Sequence, residues 1–172
     1  MPLADINDLL DKLYQQLAER IASQPLENPL VVGIYTGGSW IAERLQQRLK
    51  AAGLTNEPLG TLDISFYRDD FTRIGLNPKV KPSTLPVATE DRHVILVDDV
   101  LMTGRTIRAA LNALFEFGRP ASVTLVTLFD LEANELPIKA DIVGQQLRLP
   151  ANQRIKITGP EPLALEIQHI EP

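Results

Sequence analysis

Residues 94–111 read VILVDDVLMTGRTIRAAL, and this stretch decides the predicted fold. Four apolar residues precede the adjacent aspartates Asp98 and Asp99. A short Thr/Gly segment follows, and after it the apolar residues recur with helical spacing. A buried strand, a glycine-containing turn and a helix in this order predict a βα unit. In open α/β sheets the turn after the strand is where a ligand binds.

The same alternation continues on both sides of this stretch. Compact apolar or alternating runs predict strands at 30–35, 59–67, 93–97, 122–130, 141–143, 154–157 and 163–169. Amphipathic segments predict helices at 3–23, 40–52 and 106–117, and TGGS at 36–39 is predicted to be a turn or loop. Strands that alternate with helices predict an α/β fold, with a mostly parallel sheet covered by helices on both faces.

Length and composition limit the class of protein. The 172 residues fit a single domain, 1–172, with a sizeable core. The chain has no cysteine and only two histidines, so cysteine-based zinc sites are excluded. No apolar run approaches the ~20 residues that span a bilayer, and the acidic start does not resemble a signal peptide. We therefore expect a cytoplasmic protein without membrane contact, and the net charge of −5 disfavours general nucleic-acid binding.

The residues after the predicted strand suit a sugar phosphate. A helix that begins near Arg105 or Thr106 offers unpaired N–H groups and a partial positive charge to a phosphate. Gly104 allows close approach of the backbone, and Thr103 adds a hydroxyl. Carboxylates just upstream suit sugar hydroxyls or a Mg²⁺ ion held near phosphate. Neither a P-loop pattern nor a G-x-G-x-x-G fingerprint occurs in the chain.

VILVDDVLMTGRT resembles the phosphoribosyl-diphosphate (PRPP) motif of type I phosphoribosyltransferases. LDISFYRDD at 62–70, the full stretch 94–121 and ELPIKADIVG at 135–144 are similar to the PyrR family, and the likeness covers about residues 28–147. That family comprises pyrimidine-operon attenuation regulators that are also uracil phosphoribosyltransferases. The resemblance implies the type I phosphoribosyltransferase fold with a small hood, expected from about 145–172 and the N-terminal segment.

The resemblance also implies a role for each matching residue. Asp98 and Asp99 would hold the ribose hydroxyls and, directly or through water, Mg²⁺, and together with Arg68 they are the catalytic candidates. Residues expected to bind the phosphates of PRPP are Met102, Thr103, Gly104, Arg105 and Thr106 for the 5′-phosphate, and Thr36, Gly37 and Gly38 for the pyrophosphate. Residues expected to begin a flexible loop at about 68–90 are Tyr67, Arg68, Asp69 and Asp70.

Several positions depart from the family pattern. The family has arginine where this chain has Gly37, tyrosine where it has Met102, and two arginines and a histidine within the stretch that reads DLEANELP at 130–137. A lost charged hydrogen bond at Gly37 is worth about 1.5–3 kcal/mol. The sequence therefore predicts a divergent member with weak turnover and retained binding of nucleoside monophosphates, and a gain in turnover from Gly37→Arg.

Three functions follow from these observations. The first is an enzyme that converts uracil and PRPP to UMP and pyrophosphate with Mg²⁺. The second is a nucleotide-sensing, RNA-binding regulator of pyrimidine genes, which the acidic charge disfavours, since residues 1–24 carry four acidic and two basic side chains. The third is a catalytically weak paralogue that binds nucleotides. PRPP and UMP are the expected ligands, and a homodimer is the expected assembly.

Overall fold

The structure is a computed structural model that describes residues 3–64 and 84–171. The helices in this part of the chain are α1 (Ile6–Ser23), α2 (Gly37–Ala51) and α3 (Arg105–Glu116). The strands are β1 (Leu30–Ile34), β2 (Gly60–Leu62), β3 (His93–Leu101), β4 (Ser122–Asp130), β5 (Ile142–Gln146), β6 (Gln153–Thr158) and β7 (Ala164–His169).

The first five strands form one parallel sheet in the order β2-β1-β3-β4-β5. Their runs of valine, leucine and isoleucine are buried because helices cover both faces, as parallel sheets require. All carboxyl ends therefore lie along one edge of the sheet, and the predicted α/β class and parallel sheet are confirmed. Within the described ranges, no helix is long and apolar enough to cross a membrane.

Two hydrophobic cores lie on opposite faces of the sheet. Alternate side chains of β3 enter different cores, since Ile95 and Val97 belong to the first and Val94 and Leu96 to the second. The apolar stripe predicted for α1 is buried in the first core against α2 and the sheet. The N-terminal segment is thus part of the packing of the main sheet.

The last two strands form a separate antiparallel sheet, β6-β7. Ile155 and Ile157 of β6 are buried and extend the first core, while Gly159, after β6, lies close to the Trp40 ring. This sheet corresponds to the residues expected to form the hood. Its action as a hood over a ligand stays a prediction.

Two boundaries of the predicted elements are wrong. Helix α2 begins at Gly37 rather than at residue 40, so TGGS is mostly the first turn of a helix. Strand β3 continues to Leu101, so both aspartates lie within the strand and not after it. The strand expected at 59–67 is seen only as β2, and its last residues lie outside the described ranges.

Candidate phosphoribosyl-binding site

The two aspartates of β3 are held by the backbone beside them. Asp98 is 2% exposed, and its Oδ1 accepts the N–H of Asp99 at 2.8 Å. Oδ1 of Asp99 accepts the N–H of Val100, also at 2.8 Å. Each carboxylate thus has one oxygen hydrogen-bonded to the backbone N–H of the following residue, which limits the directions in which the other oxygen points.

The first turn of α2 lies directly against this pair. A Cβ added at Gly38 would be 2.7 Å from the carbonyl oxygen of Val97, and one added at Gly37 would be 2.5 Å from Oδ2 of Asp99. Only residues without a Cβ fit at these distances, so the glycines allow the helix to approach β3. Glycine's poor helix propensity is also why the start of α2 was missed from sequence.

The amino end of α2 therefore faces the carboxylates. The first N–H groups of a helix have no intrahelical acceptor and carry a partial positive charge. Thr36 precedes the helix without a side-chain cap, and its carbonyl accepts a hydrogen bond from the Ser39 hydroxyl at 2.7 Å. These N–H groups suit an anion beside Asp99, as expected for residues 36–38.

The segment after β3 forms a second turn whose backbone geometry suits an anion. Gly104 has φ +98° in the left-handed region and is followed by Arg105, the first residue of α3, as the sequence predicted. A left-handed residue followed by a helical one turns successive N–H groups towards one side, which makes a concave site for an anion. The hydroxyl of Thr103 accepts the N–H of Arg105 at 3.2 Å and fixes the turn.

The chain that follows β4 packs on this turn. The N–H groups of Glu135 and Leu136 donate to the Thr103 carbonyl at 2.9 and 3.1 Å. A Cβ at Gly104 would be 3.1 Å from Cβ of Ile138, and the guanidinium of Arg105 forms an ion pair with Glu135. Glu135 was not predicted from the sequence to be a site residue. Its place in the stretch ELP, within the family resemblance, was the signal that could have pointed to it.

Most of the predicted site residues thus meet at one edge of the sheet. Residues 36–38 lie against Asp98 and Asp99, and residues 102–106 follow the same strand end. Met102 is 45% exposed. The predicted residues that lie outside the described ranges are Tyr67, Arg68, Asp69 and Asp70. On either side of that gap, Ile64 is buried, and Thr84 pairs with Thr61 of β2.

Comparisons with known proteins agree with this geometry. A family model described as "Phosphoribosyl transferase domain" matches residues 3–159. The "Bifunctional protein PyrR" of Pseudomonas paraeruginosa is 57% identical over 172 residues, covering 100% of this chain and 99% of the relative. The chain belongs to the PyrR family of phosphoribosyltransferases. A second relative with the same name, from Nitrosococcus oceani, is 54% identical over 95% of this chain and 93% of its own.

Solved structures of other phosphoribosyltransferases share the fold of this chain. A hypoxanthine phosphoribosyltransferase from Trypanosoma cruzi has a TM-score of 0.65 at 20% identity, covering 87% of this chain and 81% of that one. A hypoxanthine-guanine phosphoribosyltransferase from Bacillus anthracis has a TM-score of 0.64, also at 20% identity, covering 85% and 80%. The predicted family, fold and phosphoribosyltransferase-type function are therefore confirmed.

The described residues of the site suit Mg²⁺ only together with a substrate. Among residues 3–64 and 84–171, no three His, Asp or Glu side chains are grouped as a metal cage. Mg²⁺ is usually held by one or two carboxylates, water and substrate phosphates, so a cage is not needed. Asp99, whose Oδ2 lies next to the first turn of α2, and Asp98 provide oxygen ligands of the right kind.

Proposed function

We propose that this PyrR-family chain transfers the phosphoribosyl group of PRPP to uracil, forming UMP and pyrophosphate. The observation that supports this most is the close approach of Gly37 to Asp99, beside the turn at Gly104. It places the first turn of α2 against a carboxylate pair whose strand leads directly into the start of α3. PRPP has the same layout, with a monophosphate and a diphosphate at opposite ends of a ribose.

Each group is assigned to one part of PRPP. The N–H groups and hydroxyls of residues 102–106 bind the 5′-phosphate, and residues 36–38 bind the pyrophosphate. Asp98 and Asp99 hold the ribose hydroxyls and provide the carboxylates for Mg²⁺, which when bound neutralises charge on the leaving pyrophosphate. Tyr67, Arg68, Asp69 and Asp70 stay predicted members of the site, with Arg68 at the reacting centre.

The reaction needs positioning more than a nucleophilic side chain. A nitrogen of the base forms a bond to C1′ while the bond from C1′ to the pyrophosphate oxygen breaks, and that bond's electrons leave with the pyrophosphate. The base nitrogen then loses its proton to solvent. The protein holds both ends of the ribose while C1′ becomes electron-poor, and such fixed orientation supplies a large part of the rate enhancement. The amino end of α2 stabilises the growing negative charge on the leaving group.

The decisive experiment follows pyrophosphate release from PRPP and Mg²⁺ with uracil, cytosine, hypoxanthine and guanine in parallel. We expect turnover with uracil and at least a tenfold lower kcat/KM with each other base. The Asp99→Asn variant serves as the matched inactive control because it keeps the Oδ1 acceptor for Val100. Equal turnover with a purine would contradict the assignment of the base, and no turnover with any base would contradict the assignment of an enzyme.

The relatives' name describes those proteins as bifunctional, and this favours a second function. We propose that the chain also binds pyrimidine-operon RNA in a nucleotide-dependent way. An RNA gel shift with UMP present and absent tests this, with salt titration to count phosphate contacts. A nucleotide-dependent shift supports the regulator, whereas absence of any shift at low salt leaves the enzyme as the sole function.

A further inference from the structure

Glu135 contacts the phosphate-binding turn in two ways. Its backbone N–H donates to the Thr103 carbonyl at 2.9 Å, and its carboxylate forms an ion pair with the guanidinium of Arg105. Both groups belong to the turn at 102–106, and Glu135 comes from the chain after β4. One residue of a neighbouring segment therefore fixes both the backbone and the one cationic side chain of this turn.

The backbone contact sets the direction of the phosphate donors. The peptide bond between Thr103 and Gly104 is trans, so its carbonyl and its N–H point in opposite directions. Since the carbonyl points at the N–H groups of Glu135 and Leu136, the N–H of Gly104 points away from them. The concave side of the turn, where an anion binds, is thus the side opposite Glu135.

The ion pair also holds the guanidinium of Arg105 beside the carboxylate of Glu135. Arg105 is the first residue of α3, so its side chain starts beside the N–H groups that suit a phosphate. Arginine is well suited to bind a phosphate directly, with two parallel hydrogen bonds. The side chains of Arg105 and Glu135 are 46% and 59% exposed, so neither is locked in place by packing. The carboxylate of Glu135 therefore helps to set where the guanidinium lies.

We propose that Glu135 is a positioning residue that holds Arg105 off the bound 5′-phosphate. The phosphate is then bound by N–H groups and hydroxyls, without the arginine, and its affinity stays low enough for the nucleotide product to leave. This inference rests on the proposed function, because it needs a sugar phosphate in the turn at 102–106. The inference goes beyond the proposed function by assigning to the Glu135 carboxylate the role of limiting the affinity for the 5′-phosphate.

Calorimetry with two phosphate ligands, UMP and ribose 5-phosphate, tests the inference. We expect Glu135→Gln to bind both about three- to tenfold more tightly, because a partly exposed charged contact is gained. The equal gain for both ligands is expected because they share only the ribose phosphate. In steady state, kcat should fall while KM for PRPP also falls, since product release slows. The gain should vanish in the double variant with Arg105→Gln, because the effect acts through Arg105.

Matched variants distinguish an effect that acts through Arg105 from a general effect of removing a negative charge. Glu132→Gln removes the same charge from the same segment, but Glu132 pairs with Arg148, so its affinities should equal those of the natural protein. Glu135→Asp keeps the charge and should restore the natural affinity. Arg105→Gln alone measures what this side chain contributes to UMP affinity in the natural protein, and the inference requires that contribution to be smaller than the gain in Glu135→Gln.

Three results would overturn the inference. One is a loss of more than tenfold in Arg105→Gln, which would make the arginine a direct ligand. Another is a gain that persists in the double variant, which would reflect charge alone. The third is unchanged or weaker binding in Glu135→Gln. If the proposed function itself is wrong, the natural protein binds neither UMP nor ribose 5-phosphate, and this result differs from all three above.

Discussion

Gly37 lies so close to Asp99 that a Cβ at position 37 would be 2.5 Å from Oδ2 of the carboxylate. The two residues are far apart in sequence, and the first turn of α2 and the end of β3 bring them together. The conformation of the Asp99 carboxylate therefore depends on the residue at position 37, which the sequence could not reveal. A side chain at 37 fits only if the Asp99 carboxylate moves.

The first prediction is that Gly37→Ala lowers kcat/KM for PRPP at least tenfold without lowering stability. The methyl group displaces the Asp99 carboxylate, whereas alanine in a helix is favoured over glycine by about 0.5–1 kcal/mol. Steady-state kinetics and denaturant unfolding measure the two effects. Gly37→Arg should lose activity for the same reason, contrary to the gain expected from sequence. Full activity in either variant would show that Asp99 has room to move.

The second prediction separates the two aspartates. Asp99→Asn should weaken PRPP binding in the presence of Mg²⁺ by about tenfold or more, since a charged contact is worth about 1.5–3 kcal/mol. The fold should survive, because asparagine keeps the oxygen that accepts the Val100 N–H. Asp98→Asn combined with Asp99→Asn should abolish PRPP binding. Calorimetry and thermal unfolding are the measurements.

The control for the aspartates is Asp91→Asn, which removes one carboxylate before the start of β3. Asp91 is exposed and lies at the opposite end of the strand, so PRPP affinity should not change. The assignment of the pair to the site is wrong if Asp99→Asn binds PRPP as tightly as Asp91→Asn does.

Features set by local sequence could be predicted. The spacing of Leu9, Leu13 and Leu17 gave α1 its buried face, and all three are buried. The start of α3 at Arg105 followed from Gly104 and the threonines around it, because turn and helix-start preferences act within a few residues. The order of strands and helices likewise gave the parallel sheet.

Features that depend on contacts between segments far apart in sequence could not be predicted. Glu135 reaches Arg105 only because β4 runs beside β3 and the following segment turns back over the turn at 102–106. The start of α2 at Gly37 is decided by close packing on Asp99, which overrides glycine's poor helix propensity. Tertiary contacts of this kind leave no periodic pattern in the sequence.

The third prediction concerns the end of the sheet opposite the site. The hydrogen bond from Arg92 to Glu57, at 2.8 Å, lowers the pKa of that carboxyl despite the opposing effect of burial, and Asn28 adds a weaker contribution. A carboxyl whose pKa is lower in the folded state stabilises the fold above its unfolded pKa. That contribution is lost as the pH falls through the folded pKa.

We therefore expect Glu57→Gln to lower the free energy of unfolding by about 1–2 kcal/mol at pH 7. The difference from the natural protein should begin to shrink as the pH falls below about 4, where Glu57 is protonated in the unfolded state, and should vanish once the folded carboxyl is protonated as well. Urea unfolding at several pH values measures it. Asp11→Asn, which breaks a more exposed pair with Arg48, should cost less than about 0.5 kcal/mol. A pH-independent loss in Glu57→Gln would argue against the charge as the cause.

The fourth prediction is that Gly104→Val weakens UMP binding at least tenfold and also destabilises the fold. The φ of +98° disfavours a β-branched residue, and the new Cβ would lie 3.1 Å from Cβ of Ile138 and 3.4 Å from Cβ of Leu136. The turn must therefore shift, and its N–H groups shift with it. The structure thus adds a loss of stability to the loss of phosphate binding expected from the close backbone approach at Gly104.

Gly53→Val is the matched control for this glycine. Gly53 has φ +74°, so valine there meets a similar backbone penalty, but nothing lies within 4 Å of its Cβ position and it follows α2 at the end remote from the site. Gly53→Val should lose stability, by about 1–2 kcal/mol, and keep UMP affinity. Calorimetry of both folded variants compares them directly. Because the backbone penalty is common to both, weaker UMP binding in Gly104→Val alone would assign the phosphate to the turn at 102–106, and equal affinities would place it elsewhere.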